Sequence, residues 1–249
     1  MTRRMIRATT VLLAALWLGP SARAASPVPA EQAAFGPTLE VAETPTAETM
    51  YGRMFHLGVR TYPGGGLLTR GVASFNNSLM LGVSFKADNV IGYGSPTFDS
   101  RPVDAIVKLK VLGLPGAQIQ GALGYDGIAY GGAAVPAIGA RRGRGLYGVL
   151  TKDLGMSSLV FQLHGGVGVN QYKAFSVKDD VNVFGAVTGS LTPELIVGLE
   201  YDDVLHKERQ ANASVGYNWD MGLRVEIDFM KLFHGVHGHY RVLKILYTF

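Results

Sequence analysis

Between Leu223 and Phe229 every second residue is a large apolar side chain, Leu223, Val225, Ile227 and Phe229, and every residue between them is charged, Arg224, Glu226 and Asp228. No helix keeps such residues on separate faces, because helical side chains repeat every 3.6 residues, whereas successive side chains of a strand point to opposite sides. A strand with one wholly apolar and one wholly charged face needs two different surroundings.

The same division recurs along the chain. In 102–112, Val103, Ala105, Val107, Leu109 and Val111 alternate with Asp104, Ile106, Lys108 and Lys110. In 79–88, Leu79, Leu81, Val83 and Phe85 oppose Met80, Gly82, Ser84, Lys86 and Asp88, and in 195–202 Leu195, Val197, Leu199 and Tyr201 oppose Ile196, Gly198, Glu200 and Asp202. Turn chemistry divides residues 51–249 into twelve short segments: 51–62, 67–75, 79–90, 102–112, 117–126, 144–152, 159–170, 181–190, 195–203, 211–219, 222–230 and 240–249. The alternation is weak in 67–75 and 144–152, and their faces stay unassigned. Their lengths suit tilted membrane strands, and the connections sort by size. Those after even-numbered segments are short, such as Asn76-Asn77-Ser78 and Asp220-Met221, and those after odd-numbered ones are long, such as 91–101 and 127–143. Only the first hairpin, turned at Pro63-Gly64-Gly65-Gly66, departs from this rule. Sorted loops of this kind predict an all-β, closed antiparallel transmembrane barrel of about twelve strands, its short turns periplasmic.

A soluble sandwich also alternates, but it need not sort its loops or place Tyr62, Tyr125, Tyr201, Tyr217, Trp219 and Tyr247 near strand ends, where aromatic girdles would lie. The last segment alternates Leu243, Ile245, Tyr247 and Phe249 against Val242, Lys244, Leu246 and Thr248. Its aromatic ending resembles the signature by which outer-membrane barrels meet their insertion machinery. The expectation is that 240–249 pairs with both 222–230 and the first strand near 51–62.

Residues 1–24 read as a signal peptide, with Arg3, Arg4 and Arg7 before the apolar run Val11–Leu18 and Ala22-Arg23-Ala24 before Ala25. The chain holds 23 Lys+Arg and 19 Asp+Glu, and four of the arginines precede Ala25, which leaves 19 against 19 after it. The basic balance thus belongs to the leader and gives no reason to expect nucleic acid. Residues 25–50 hold Pro27, Pro29, Pro37 and Pro45, four glutamates and no Lys or Arg. They read as a flexible periplasmic lead-in, with a plug inserted in the lumen as the alternative. Cysteine is absent, which excludes disulfides and thiolate metal sites.

A charge facing lipid near the midplane costs about 2–4 kcal/mol for Lys or Arg, so the charged faces must point inward. The lumen candidates are His56, Arg60, Lys86, Asp88, Asp104, Lys108, Lys110, Asp126, His164, Glu200, Asp202, Arg224, Glu226, Asp228 and Lys244. Read structurally they are a network of cross-strand ion pairs, and read functionally they line a hydrophilic path. His234, His237 and His239 are weak candidates for a metal, with no carboxylate in their loop, and no cofactor is expected. Arg141, Arg142 and Arg144 could meet lipopolysaccharide phosphates. Neither His56 nor His164 is accompanied by a Gly-x-Ser-x-Gly elbow, which makes a membrane-embedded hydrolase or acyl-transfer enzyme the weaker alternative.

Several segments resemble the YjbH-like group of exported barrels: Tyr62-Pro63-Gly64-Gly65-Gly66-Leu67-Leu68, Leu81-Gly82-Val83-Ser84-Phe85 leading to Asn89-Val90-Ile91-Gly92, Leu123-Gly124-Tyr125-Asp126-Gly127, and Gly145-Leu146-Tyr147-Gly148-Val149. The resemblance implies an outer-membrane β-barrel with a part in exopolysaccharide production or export, and it carries no catalytic residues. The combined expectation is an outer-membrane channel, or a binding or export component, for a polar solute or polysaccharide, without catalysis of its own. A structural or surface-interaction barrel is a further alternative. Expected partners are membrane lipid, lipopolysaccharide, the insertion machinery and the solute.

Overall fold

Strand edges cannot be left open in hydrocarbon, where an unpaired backbone amide costs several kcal/mol, and the twelve long strands among the described residues close on themselves and leave none. The structure, a computed structural model, describes residues 38–92, 94–98, 103–127, 145–156, 159–169, 181–202, 210–219, 221–233 and 240–249. Two short strands come first, β1 (Glu40–Val41) and β2 (Thr44–Pro45), paired with each other alone. Twelve longer ones follow: β3 (Phe55–Tyr62), β4 (Gly66–Ser74), β5 (Leu79–Ala87), β6 (Val103–Leu114), β7 (Ile119–Asp126), β8 (Gly145–Met156), β9 (Leu159–Val169), β10 (Val181–Ser190), β11 (Leu195–Asp202), β12 (Gln210–Asn218), β13 (Leu223–Met230) and β14 (Tyr240–Thr248). Each pairs antiparallel with its sequence neighbours, and β14 pairs with β3 to close the barrel.

The closing strand meets both expected partners, with Ile227 opposite Leu243 on one side and Val59 opposite Ile245 on the other. Phe249 extends the seam by exchanging backbone hydrogen bonds with Phe55 (2.8 and 2.9 Å) and stacks its ring on Phe55 and Tyr247. At the first hairpin, Gly64 and Gly65 take φ of 85° and 71°, and a side chain at Gly65 would strike the Ile91 carbonyl. Glycine is required there both by the left-handed backbone and by the close approach.

The apolar faces point outward. Leu57, Val83, Val103, Leu123, Leu199, Ile227 and Ile245 are all exposed, and together with their neighbours they make a continuous belt far larger than a water-soluble surface tolerates. Tyr201, Tyr217, Trp219 and Tyr247 are exposed beside the belt. Tyr62 corrects the girdle expectation: it is buried, and its hydroxyl donates to the Ala87 carbonyl and Asp88 inside the wall.

The segment expected to be a flexible lead-in is different over its described half. Residues 38–50 lie inside the lumen, with Val41, Ala42, Thr44, Thr46, Ala47 and Met50 almost wholly buried. Three small apolar contacts fix the segment: Ala42 against Met230 and Val242, Ala47 against Tyr147, Val149 and Phe184, and Met50 against Val72 and Met80. These contacts also assign the two strands whose alternation is weak. Leu68 and Val72 of β4, and Tyr147 and Val149 of β8, are apolar yet face inward, because Tyr62 or the lumen segment covers them.

Candidate functional site: the occupied lumen

The lumen segment is a hairpin whose tip, Ala42-Glu43, reaches toward the long-loop end. Thr46 binds back to Thr38 and Leu39, and Met50 leads to β3 at the short-turn end, where the Gly52 amide donates to Asn77 (2.7 Å). Ala42 adopts φ 41°, a left-handed conformation that costs a non-glycine residue about 1–2 kcal/mol. The wall holds it there. The Ala42 carbonyl accepts from Arg60 (3.0 Å) and Lys244 (2.6 Å), and the Glu43 and Thr44 amides both donate to Glu200 (2.9 and 2.7 Å).

Glu40 is the electrostatic hub. Its carboxylate lies 2.6 Å from Arg70, 3.5 Å from Lys244 and 3.8 Å from Arg60, three cations on three adjacent strands. Burial opposes its ionisation, but these charges outweigh burial and hold its carboxyl well below the usual carboxylate range. Glu43 adds a contact to Arg60 at 3.5 Å. Glu48 lies nearer the short turns, and among the described residues its carboxylate has no cation within ion-pair distance. It accepts from Gln162 (2.6 Å) and the Thr38 amide (2.7 Å), and burial pushes its carboxyl up.

The wall is also paired within itself. Arg70 bonds Asp126 (2.7 Å), Lys244 bonds Glu226 (2.8 Å) and approaches Asp228 (3.0 Å), Arg60 approaches Asp228 (3.5 Å), and Arg224 pairs with Glu226. Lys86 approaches Asp88 at 3.9 Å, and Lys110 donates to Gln120 (2.7 Å). Asp202 accepts from Asn182 (3.0 Å), and Asp104 accepts from the Ala105 amide (2.7 Å). The two wall histidines meet threonine hydroxyls: His56 binds Thr248 (3.0 Å), and His164 sits between Thr151 (2.9 Å) and Thr188 (3.0 Å). No serine pairs with either histidine among the described residues. Lys108, buried in the middle of β6, donates to the Leu39 carbonyl (3.1 Å) and the Glu48 carbonyl (3.2 Å) of the hairpin. His234, His237 and His239, and Arg141, Arg142 and Arg144, lie outside the described residues.

Sequence reasoning missed Arg70 and the three hairpin glutamates. Arg70 stands between inward Leu68 and Val72, which hide the alternation of its strand. The one signal in the lead-in was its acidity, four glutamates without a basic residue. A small cavity of about 90 Å³ remains beside the hairpin, lined among others by Glu40, His56, Arg70, Lys108 and Asp126.

No family model and no curated protein matches the chain. Among solved structures, a mutant of Rh. blastica porin aligns at 7% identity, covering 79% of this chain and 98% of that one, with a TM-score of 0.26. The barrel assignment rests on the closed strand order, not on that alignment.

Proposed function

We propose that the protein is an outer-membrane barrel that passes a polar solute and is closed at rest by its own N-terminal hairpin. One observation carries this reading: every wall cation that grips Glu40 also has a wall carboxylate. Arg60 has Asp228, Arg70 has Asp126, and Lys244 has both Glu226 and Asp228. Withdrawal of the hairpin therefore strands none of these buried charges, the event that makes breaking a buried ion pair so costly. Eight strands suffice for an interior filled by side chains, and twelve leave room that a separate segment takes up. The bore holds two paired peptide strands, a cross-section of roughly 10 Å at about 4.8 Å per strand, and the space they vacate suits a saccharide or another extended polar chain.

The competing reading is a permanently closed structural barrel, favoured by the density of contacts on the hairpin. Planar-bilayer recording of the refolded full chain separates the two. The reading expects discrete openings that become rarer when Ala42→Cys and Val242→Cys are oxidised to a disulfide and return on reduction. The chain has no cysteine of its own to interfere. Silence from both the full chain and its Glu40→Gln/Glu43→Gln variant would leave the structural barrel as the answer.

A further inference from the structure

Lys108 differs from the other buried cations of the wall. It is 5% exposed, and its cross-strand neighbours are Met80 on β5 and Gly124 on β7, neither of which carries a charge. Among the described residues no carboxylate lies within ion-pair reach of its ammonium. Its hydrogen-bond partners are the two hairpin carbonyls, Leu39 at 3.1 Å and Glu48 at 3.2 Å. Lys110 also lacks a carboxylate in contact, but its partner Gln120 belongs to the wall and stays in place. Among the described cations of the wall, Lys108 alone holds its charge on groups that leave with the hairpin.

Resting on the gated reading above, we propose that Lys108 is the anion-selecting residue of the open lumen, and that the solute bears a carboxylate or comparable negative group. Withdrawal removes both carbonyl dipoles from Lys108 and takes Glu40, Glu43 and Glu48 out of the bore. What remains is an ammonium with no carboxylate in contact, because the wall acid that acts on it, Asp126, is held by Arg70 at 2.7 Å, and Arg60, Arg224 and Lys244 share only Glu226 and Asp228. A desolvated cation so placed recruits an anion, and a bore with low-dielectric walls focuses that attraction along its length. Arg70 lines the same cavity, adding positive potential while Asp126 keeps it paired.

The test uses the full chain with Glu40→Gln to raise the frequency of openings, and reads the reversal potential of open events under asymmetric KCl. The chloride-to-potassium permeability ratio should exceed one, fall several-fold when Lys108→Gln is added, and recover with Lys108→Arg. Gluconate should slow the current of the parent and of the Lys108→Arg variant, and should lose that effect with Lys108→Gln. A lysine needed only to seat the hairpin would change the frequency of openings and leave the ratio untouched; that outcome overturns the proposal. If Lys108→Gln fails to give the heat-modifiable gel mobility of a folded barrel, Lys108→Met, isosteric with the neighbouring Met80, takes its place. Absence of open events in every variant would instead overturn the gated reading, and this proposal with it.

Discussion

Neutralising Glu40 should loosen the hairpin without harming the barrel. Glu40→Gln keeps the size of the side chain and its capacity to accept a hydrogen bond, but it removes the charge that meets Arg70 at 2.6 Å and Lys244 and Arg60 at 3.5 and 3.8 Å. Losing one member of a buried ion pair ordinarily costs about 3–5 kcal/mol, most of it from the charge left behind. Here all three cations keep wall carboxylates, so the loss reduces to that of one close charge-assisted hydrogen bond and two weaker contacts. A bond to a charged group contributes about 1.5–3 kcal/mol, which puts the loosening near 2–3 kcal/mol. At about 1.4 kcal/mol per factor of ten, the ratio of released to seated hairpin rises roughly 30- to 150-fold. A cysteine at Ala47, which is wholly buried against the wall, reports release through its labelling by a membrane-impermeant maleimide. Labelling in Ala47→Cys/Glu40→Gln should accelerate by that factor over Ala47→Cys alone, with heat-modifiable mobility unchanged. Equal rates in the two proteins would refute the assignment of Glu40 as the clasp.

Glu48 sets an opposite pH response. Burial raises its carboxyl in the seated state above the ordinary value of 4.5, so seating is strongest below that value and weakens as pH rises through the raised one. Acidification from neutrality should therefore lower open probability in planar bilayers, and Glu48→Gln should remove that part of the response. Glu40 stays ionised across this window because its own carboxyl is depressed, so more frequent openings on mild acidification would contradict the account. In the barrel wall, a methyl at Gly166 would meet the Gly148 carbonyl and the Phe184 ring, whereas one at Gly165 meets nothing. Gly166→Ala should cost about 1–3 kcal/mol in urea unfolding and Gly165→Ala much less; equal midpoints would count against the packing described. Ile227 lies on the apolar belt, and Ile227→Lys should lower stability in lipid vesicles by about 2–4 kcal/mol, a loss that would be absent if this face met water.

The barrel was legible because its signal is local. The alternation of 222–230 or 195–202 needs no knowledge of neighbouring strands, and each segment maps onto one strand with ends shifted by a few residues. Strand 67–75 was harder because the inward positions of Leu68 and Val72 are apolar, and the reason, Met50 and Tyr62 pressing on them, lies elsewhere in the chain. The hairpin was legible as a plug only as the alternative to a flexible lead-in. Threonines, alanines and glutamates with one proline lack the apolar content of a buried segment, and they are buried here because the wall is as polar as they are. Its contacts are set by distant charges. Ala42, for example, depends on Lys244, which lies 202 residues away in sequence.

The clasp straddles the seam of the barrel. Arg60 and Arg70 belong to its first two strands and Lys244 to its last, and Arg60 faces Lys244 directly across the β3–β14 join. Until those strands meet, the three cations are no cluster, and Glu40 has nowhere to dock. A seated hairpin is therefore a certificate of closure: the chain cannot shut its own bore before the bore exists. Only residues 51–54 separate the hairpin from β3, so once the seam forms the tether holds the hairpin at its doorway, at a high effective concentration that no neighbouring molecule can match.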